Sequence, residues 1–383
     1  MDVASGVIQG IALCEGFFHE TAEPLLAERF PSLAYAAGLI GYGSDVLGFD
    51  DAVSRDHMWG PRFYLFLRRE DMAFKPEIEA LFSERLPYTY RGFSVHFSKP
   101  DPKDHGVRHA EFRTQGQVSS LIEIHTLEGF AKEYLGRADF ERLTERDWLA
   151  FSEHRLLGMT SGKIFRDDIG LEEMRAKIRF YPDDVKLYLI ASNWSLIAEE
   201  QAFVKRCGMV GDDLGSRLIA ARIAERLMRL VFLYENRYAP YGKWFGTAFA
   251  GLPAGEGIGA NIAAALSADG VEEREAHLVE AQRLTALLHN EKGLTDRVSA
   301  QVCSYFGRDI QVIYADRIAE AVKKKLEGTV FARMPLIGTL SQVGGFACLA
   351  DDPTYAERVR KIYEEADALQ EPCKEPIRMA EQS

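Results

Sequence analysis

The residue types best suited to phosphate chemistry gather between Leu39 and Leu67, which reads LIGYGSDVLGFDDAVSRDHMWGPRFYLFL. A short apolar run containing Leu39, Ile40 and Tyr42 ends at Gly43-Ser44. Loop 45–55 follows with Asp45, Asp50 and Asp51, then Asp56, and Arg62 to Leu67 reads as a second strand. A Gly-Ser turn lets backbone N–H groups approach a phosphate, and the hydroxyl of Ser44 is a further donor. A carboxylate at Asp56, entering from the next strand, could hold a divalent cation on that same phosphate.

Gly-Ser, a spacer of this length and then Asp-x-Asp is the signature of the nucleotidyltransferase superfamily, and the stretch resembles it. GSDVLGFDDAVSRDH, together with DWLAFSEHRLL, CGMVGDDLGSRLIAARIAERLMRL, YAPYGKW and KWFGTAF, resembles more closely the DUF4037 group of that superfamily. The resemblance implies an α+β chain, with a small mixed-sheet nucleotidyltransferase-like domain over 1–135 and an all-helical domain over 136–383. The reaction it implies moves a nucleoside monophosphate from an NTP to a hydroxyl of a small molecule, with Mg2+. Gly43 and Ser44 would then hold the phosphates, and Asp56 would be both catalytic and a metal ligand. Polymerase-type members carry a third carboxylate on a strand beside the aspartate. Glu123, within the predicted strand 119–126, is the candidate for that catalytic and metal-binding role; the other reading puts it on the solvent face of an edge strand. Lys243 precedes Trp244 as a phosphate-contacting lysine does in antibiotic-modifying nucleotidyltransferases. Its ammonium suits a pyrophosphate leaving group; the alternative is aromatic packing with Lys243 incidental.

One departure from the pattern bears on the chemistry. The group reads Asp-His-Asp-Trp-Gly where this chain has Asp56-His57-Met58-Trp59-Gly60. Magnesium takes oxygen ligands, and a thioether does not substitute. Nucleotide binding through Ser44, Asp56 and Lys243 without turnover is one reading. Others are that Asp45, Asp50 or Asp51 supplies the oxygen, that the substrate completes the site, or that residue 58 is a changed one. The competing function is therefore a catalytically impaired nucleotide-binding or regulatory protein.

The chain has 383 residues, 47% of them apolar, enough for two domains with cores of their own. A net charge of −12 argues against a broad nucleic-acid-binding face, because phosphate contacts need clustered Lys and Arg. The five cysteines are scattered and form no CxxC, which predicts reduced thiols in a cytoplasmic protein. The first 25 residues lack a basic stretch, so no signal peptide is expected, and no apolar run reaches the length of a membrane span.

Apolar spacing predicts helices over 5–30, 76–86, 129–135, 145–157, 171–179, 182–208, 213–236, 271–290 and 310–327. Residues 93–97 alternate as a half-buried strand does, and 251–270 read as a Gly-rich joint leading into an Ala-rich helix. Arg222, Arg226 and Arg229 form one stripe, which could meet a triphosphate but more often is a solvated face. His289-Asn290 and Gln342 also fit the group's pattern, with no chemical role attached.

Overall fold

The computed structural model of the chain describes residues 8–55, 58–340, 342, 354, 357, 358 and 360–363. Contacts divide the chain into two compact units, Met1–Arg142 with Ser152–Arg179, and Leu143–Phe151 with Phe180–Ser383.

The first unit opens with a helical arm made of α1 (Gly10–Phe17), a π-helical turn (Phe18–Ala22) and α2 (Glu23–Arg29). Pro24 has no N–H to donate, and its ring crowds the carbonyl four residues back, so the hydrogen-bond ladder widens where it enters. Strand β1 (Tyr35–Leu39) runs antiparallel to β2 (Arg62–Leu67), with Tyr35 opposite Leu67. Every residue of β2 is buried, as expected of a strand covered on both faces. Helix α3 (Lys75–Arg85) and the short hairpin β3 (Thr89–Tyr90) and β4 (Phe93–Ser94) lead to β5 (Leu121–His125). β5 lies parallel to β2, with Glu123 opposite Tyr64. Helix α4 (Leu127–Leu135) follows, started by the Thr126 side chain and closed by Gly136 in the left-handed region.

The chain then gives α5 (Glu145–Ala150) to the second unit and returns with α6 (Glu153–Thr160), β6 (Lys163–Asp167) and α7 (Leu171–Ala176). The sheet order is β5-β2-β1-β6. One face is apolar: Phe17, Phe18, Leu26, Ile78 and Phe82 pack on Phe63, Leu65 and Ile124. On the other face, Tyr64 and Phe66 meet the ring of Phe130 from α4 at centroid distances of 4.8 and 5.4 Å. The period-two alternation of a strand puts Glu123 and His125 on this second face.

Strand β6 falls in a stretch read from the sequence as helical. Its residues are all half-buried or exposed, so it carries no alternation. It is a strand because it pairs with β1 across a bulge at Ala37/Gly38, where a Cβ on Gly38 would lie 2.8 Å from the Lys163 carbonyl oxygen. The helix expected over 145–157 is two helices. Thr144 and Asp147 form a capping box that starts α5, and extended backbone at Phe151 and Ser152 separates it from α6.

The second unit continues with α8 (Asp183–Glu200), α9 (Phe203–Met209), α10 (Asp213–Tyr234), α11 (Gly242–Ala250), α12 (Glu256–Ser267) and α13 (Val271–Lys292). A hairpin of β7 (Cys303–Ser304) and β8 (Gln311–Val312) and then α14 (Asp316–Lys325) complete it among the described residues. Buried polar links tie the long helices: Trp194 Nε1 donates to the Tyr234 hydroxyl at 2.8 Å, which lies 3.1 Å from His289 Nδ1. His289 Nε2 lies 2.9 Å from Thr295 Oγ1. Among the described residues, no helix is long and apolar enough to cross a membrane.

Candidate functional site

Gly43 adopts φ +121°, and a Cβ there would lie 2.1 Å from Asp45 Oδ1 and 2.5 Å from Arg62 Nη2. The glycine is needed because a buried ion pair sits against it. Asp45 Oδ1 accepts from Arg62 Nη2 at 2.8 Å and from the Val46 N–H at 3.0 Å. The same guanidinium donates to the Tyr42 carbonyl at 2.8 Å and lies 4.6 Å over the Tyr42 ring. Burial pulls the Arg62 pKa down, but Asp45 beside it more than compensates and holds the guanidinium charged. Asp45 Oδ2 is buried and receives no hydrogen bond among the described residues.

The Ser44 hydroxyl is not free for a ligand. It donates its single proton to the Ser54 carbonyl at 3.0 Å, and the Ser44 carbonyl accepts from the Phe49 N–H at 2.8 Å. The backbone N–H groups of Gly43, Ser44 and Asp45 are different: among the described residues they donate to nothing. The turn is thus held by its side chains and carbonyls, with its amides unspent.

The other carboxylates of the loop build it. Asp50 Oδ2 accepts from the Gly10 N–H at 2.7 Å and from Trp59 Nε1 at 3.1 Å. Asp51 Oδ1 accepts from the Val53 and Ser54 N–H groups at 3.0 and 2.8 Å. The Cys14 thiol, pushed up to about 12 by burial, donates to the Gly60 carbonyl at 3.2 Å. Asp56 and His57 lie outside the described residues. Met58 is half-buried and adopts φ +49°, a conformation that a long side chain rarely takes and that Asn or Asp takes more readily.

Glu123 sits on edge strand β5 with its carboxylate 41% exposed, so the edge-strand placement and an accessible carboxylate hold together. Its Oε2 lies 3.4 Å from His125 Nε2, while His125 Nδ1 lies 3.8 Å from Glu133 Oε2. Burial, with Tyr42 and Glu123 adding to it, raises the Tyr64 phenol far above its ordinary value. Among the described residues, no three His, Cys, Asp or Glu side chains gather to hold a metal ion. Asp45 Oδ2 and Glu123 are oxygen donors and Met58 is not, so the described residues do not make a complete set for magnesium.

In the second unit Lys243 stands in the first turn of α11, exposed and without an ion pair among the described residues. Its ammonium lies 5.0 Å over the ring of Trp244, which is itself buried. A Cβ on Gly242 or Gly246 would meet nothing, so this face of α11 is bare backbone. The arginine stripe is spent internally: Arg222 bonds Glu200, Arg226 reaches the Gln342 carbonyl at 3.4 Å, and Arg229 bonds Glu225 at 3.0 Å. Gln342 and the His289-Asn290 pair acquire structural roles. Gln342 Oε1 accepts from the Thr339 N–H at 3.0 Å, and Asn290 exchanges hydrogen bonds with Val298 at 2.8 and 2.9 Å. The sequence carried no sign of the Asp45–Arg62 pair, because the partners are far apart along the chain and Arg62 opens an apolar strand.

A family model described as a domain of unknown function, DUF4037, matches residues 148–245, which agrees with the resemblance read from the sequence. Among solved structures, the chain is similar to a nucleotidyltransferase-like protein from Exiguobacterium sibiricum 255-15. That similarity is 11% in identity, over 72% of this chain and 78% of the other, with a TM-score of 0.32. No curated protein matches the chain.

Proposed function

We propose that this protein binds a nucleoside triphosphate in the manner of a nucleotidyltransferase, with its metal-dependent transfer step weakened. The observation that carries the reading is the row of unspent backbone amides at Gly43, Ser44 and Asp45. Backbone amides of a glycine turn that lack an internal acceptor can cradle phosphate oxygens without needing a side chain. Lys243 of the second unit offers an exposed, mobile cation of the kind that suits a phosphate. Weak transfer follows from the donor set: Met58 offers sulphur, while Asp50 and Asp51 are committed to backbone and indole N–H groups. If magnesium binds, Asp56 and Glu123 are its oxygen ligands, and its chemistry is to neutralise charge on the triphosphate.

A second reading keeps the full reaction, in which a nucleoside monophosphate passes to a hydroxyl of a small molecule. The Glu123–His125 contact at 3.4 Å favours it, since a carboxylate beside an imidazole can accept the proton of an attacking hydroxyl.

Calorimetric titration of the protein and of Lys243→Ala with an NTP and with the matching nucleoside tests the binding. The expected result is a selective loss of triphosphate affinity in the variant. Equal losses for both ligands, or no NTP binding by the parent, refute the proposal. Pyrophosphate release at an appreciable rate in the parent decides for the second reading.

A further inference from the structure

The second face of the first unit's sheet carries hydrogen-bonding groups that the fold does not use up. Parallel register sets Glu123 beside Tyr64 and His125 beside Phe66, so carboxylate and imidazole project from one face of β5. The rings of His125 and Tyr64 lie 5.9 Å apart, and Tyr42 meets Tyr64 edge-on at 6.4 Å. Burial raises both phenols above their ordinary value, with Glu123 adding to each, so both stay neutral and keep hydroxyls that donate or accept. Glu123 has no ion pair with a lysine or arginine among the described residues. Two guanidiniums of this unit are committed elsewhere: Arg62 to Asp45, and Arg108 to the carbonyls of Ser98, Ser119 and Ser120 at 2.8, 3.1 and 3.0 Å.

His125 is bracketed by carboxylates, with Glu123 Oε2 3.4 Å from Nε2 and Glu133 Oε2 3.8 Å from Nδ1. The gap to Glu123 is wider than an ordinary N–H···O bond, so neither group fully satisfies the other. The side chains of Glu123 and His125 are 41% and 21% exposed, and a ligand can reach both. Together they present a carboxylate acceptor beside a ring nitrogen that accepts or donates according to its tautomer. A hydroxyl both donates and accepts. Two adjacent hydroxyls therefore fit the pair in either tautomer: one donates to Glu123, and its neighbour turns to suit Nε2. A phosphate is repelled by Glu123, and an ammonium fits only one tautomer.

We infer that Glu123 and His125 together take a vicinal diol, with the neutral phenols of Tyr42 and Tyr64 beside it. Two molecules of the proposed reaction bring such a diol: the ribose of the nucleoside triphosphate, and an acceptor of the sugar or polyol class. The inference rests on the nucleotide reading for the first source and on the hydroxyl-transfer reading for the second. Glu123 Oε1 has no hydrogen bond among the described residues, so a diol on Oε2 leaves that oxygen for a cation. Tyr42 links the diol groups to the phosphate turn: its backbone precedes the Gly43 amide, and its phenol feels Glu123.

Calorimetric titration of the full chain with ATP, 2′-deoxy-ATP and 3′-deoxy-ATP, each with Mg2+, tests the ribose source. The parent is expected to bind ATP about 10-fold more tightly than either deoxy form, the scale of a hydrogen bond to a charged group. Glu123→Gln and His125→Leu should each shrink that ratio to about 2-fold or less. The ratio compares ligands that share base, triphosphate and metal, so a general loss of cation binding does not mimic the result. Titration with D-ribose, D-glucose and myo-inositol, with and without ATP, tests the acceptor source. Saturable polyol binding that both variants lose, beside equal affinities for ATP and its deoxy forms, assigns the diol to the acceptor. A parent that binds no triphosphate refutes the nucleotide reading and leaves the polyol titration alone to decide. A parent with neither ribose discrimination nor polyol binding overturns the inference, and so does discrimination that persists in both variants. Glu123-dependent binding of spermidine, with no ribose or polyol effect, would overturn it in favour of an amine site.

Discussion

The loop that opens at Gly43 and the helix that opens at Gly242 both present bare glycine backbone beside charged side chains, and they use that charge in opposite ways. At Gly43 the charges are consumed inside the protein. Asp45 and Arg62 bury each other, Asp50 ties the loop to Gly10 and Trp59, and Asp51 folds the loop onto itself. At Gly242 the charge of Lys243 meets, among the described residues, the ring of its neighbour Trp244. The first region's charged side chains shape a turn whose amides have no acceptor among the described residues. The second region's charged side chain is exposed and shapes no turn. A charge with internal partners reports on stability when removed; a charge without them reports on ligand.

The sharpest way to break this comparison is Asp45→Ala. It strands Arg62, 3% exposed, with no carboxylate partner among the described residues, and should cost about 3–5 kcal/mol of stability in denaturant unfolding. A loss below 1 kcal/mol would mean that the pair behaves as a surface bridge.

The helical unit has its own internally spent polar group, which makes a pH test. Burial holds His289 down at about 4, against an ordinary value of 6.5. Between these values the unfolded chain binds the proton and the folded chain does not. The stabilising contribution is therefore whole above pH 6.5 and is lost as pH falls toward 4. The loss should reach about 3 kcal/mol, and His289→Gln should flatten the slope over that interval. An unchanged slope in the variant would assign the acid sensitivity to other groups.

Met58 sharpens the comparison within the first region. Met58→Asn should stabilise the chain by about 0.5–1 kcal/mol by relieving the left-handed backbone. Met58→Asp relieves the same backbone and adds a carboxylate two residues along the chain from Asp56, so, if position 58 borders a cation site, its melting temperature should fall below that of the Asn variant without metal and recover with Mg2+ and NTP. If the two variants melt alike with and without Mg2+, position 58 does not border a cation site.

The smallest expected effect is the stability change of Lys243→Ala, within about 0.5 kcal/mol, because the side chain is exposed and has no ion pair among the described residues. A larger change in thermal melting would give Lys243 a packing role and remove the contrast between the two regions.

Much of the scaffold was legible in the chain. β2 announces itself as an apolar run, α10 and α13 as long three-and-four patterns, and α12 as an Ala-rich segment after a glycine joint. The candidate phosphate turn was legible as Gly43-Ser44, but its chemistry was not. The Ser44 hydroxyl, expected to face a ligand, is taken by Ser54, and the amides beside it are what remain. The arginine stripe is equally ambiguous in one dimension. Glu200, Glu225 and the Gln342 carbonyl decide its use, and only the fold brings Glu200 and Gln342 to it.

Local spacing and residue type determined by themselves where the long helices and the central strand form, since both depend on contacts a few residues apart and on apolar periodicity. They also determined that residue 58 is a methionine where the group the chain resembles has an aspartate. Tertiary structure alone decided that Lys163–Asp167 is a strand, because an edge strand with mixed exposure has no periodic signature and exists through its pairing with β1. It alone decided which charges are spent. Whether a carboxylate holds the fold or faces a ligand depends on the donors within about 3 Å of its oxygens, and for Asp45 and Asp50 the donors other than the adjacent Val46 N–H come from Arg62, Gly10 and Trp59, brought to them only by folding.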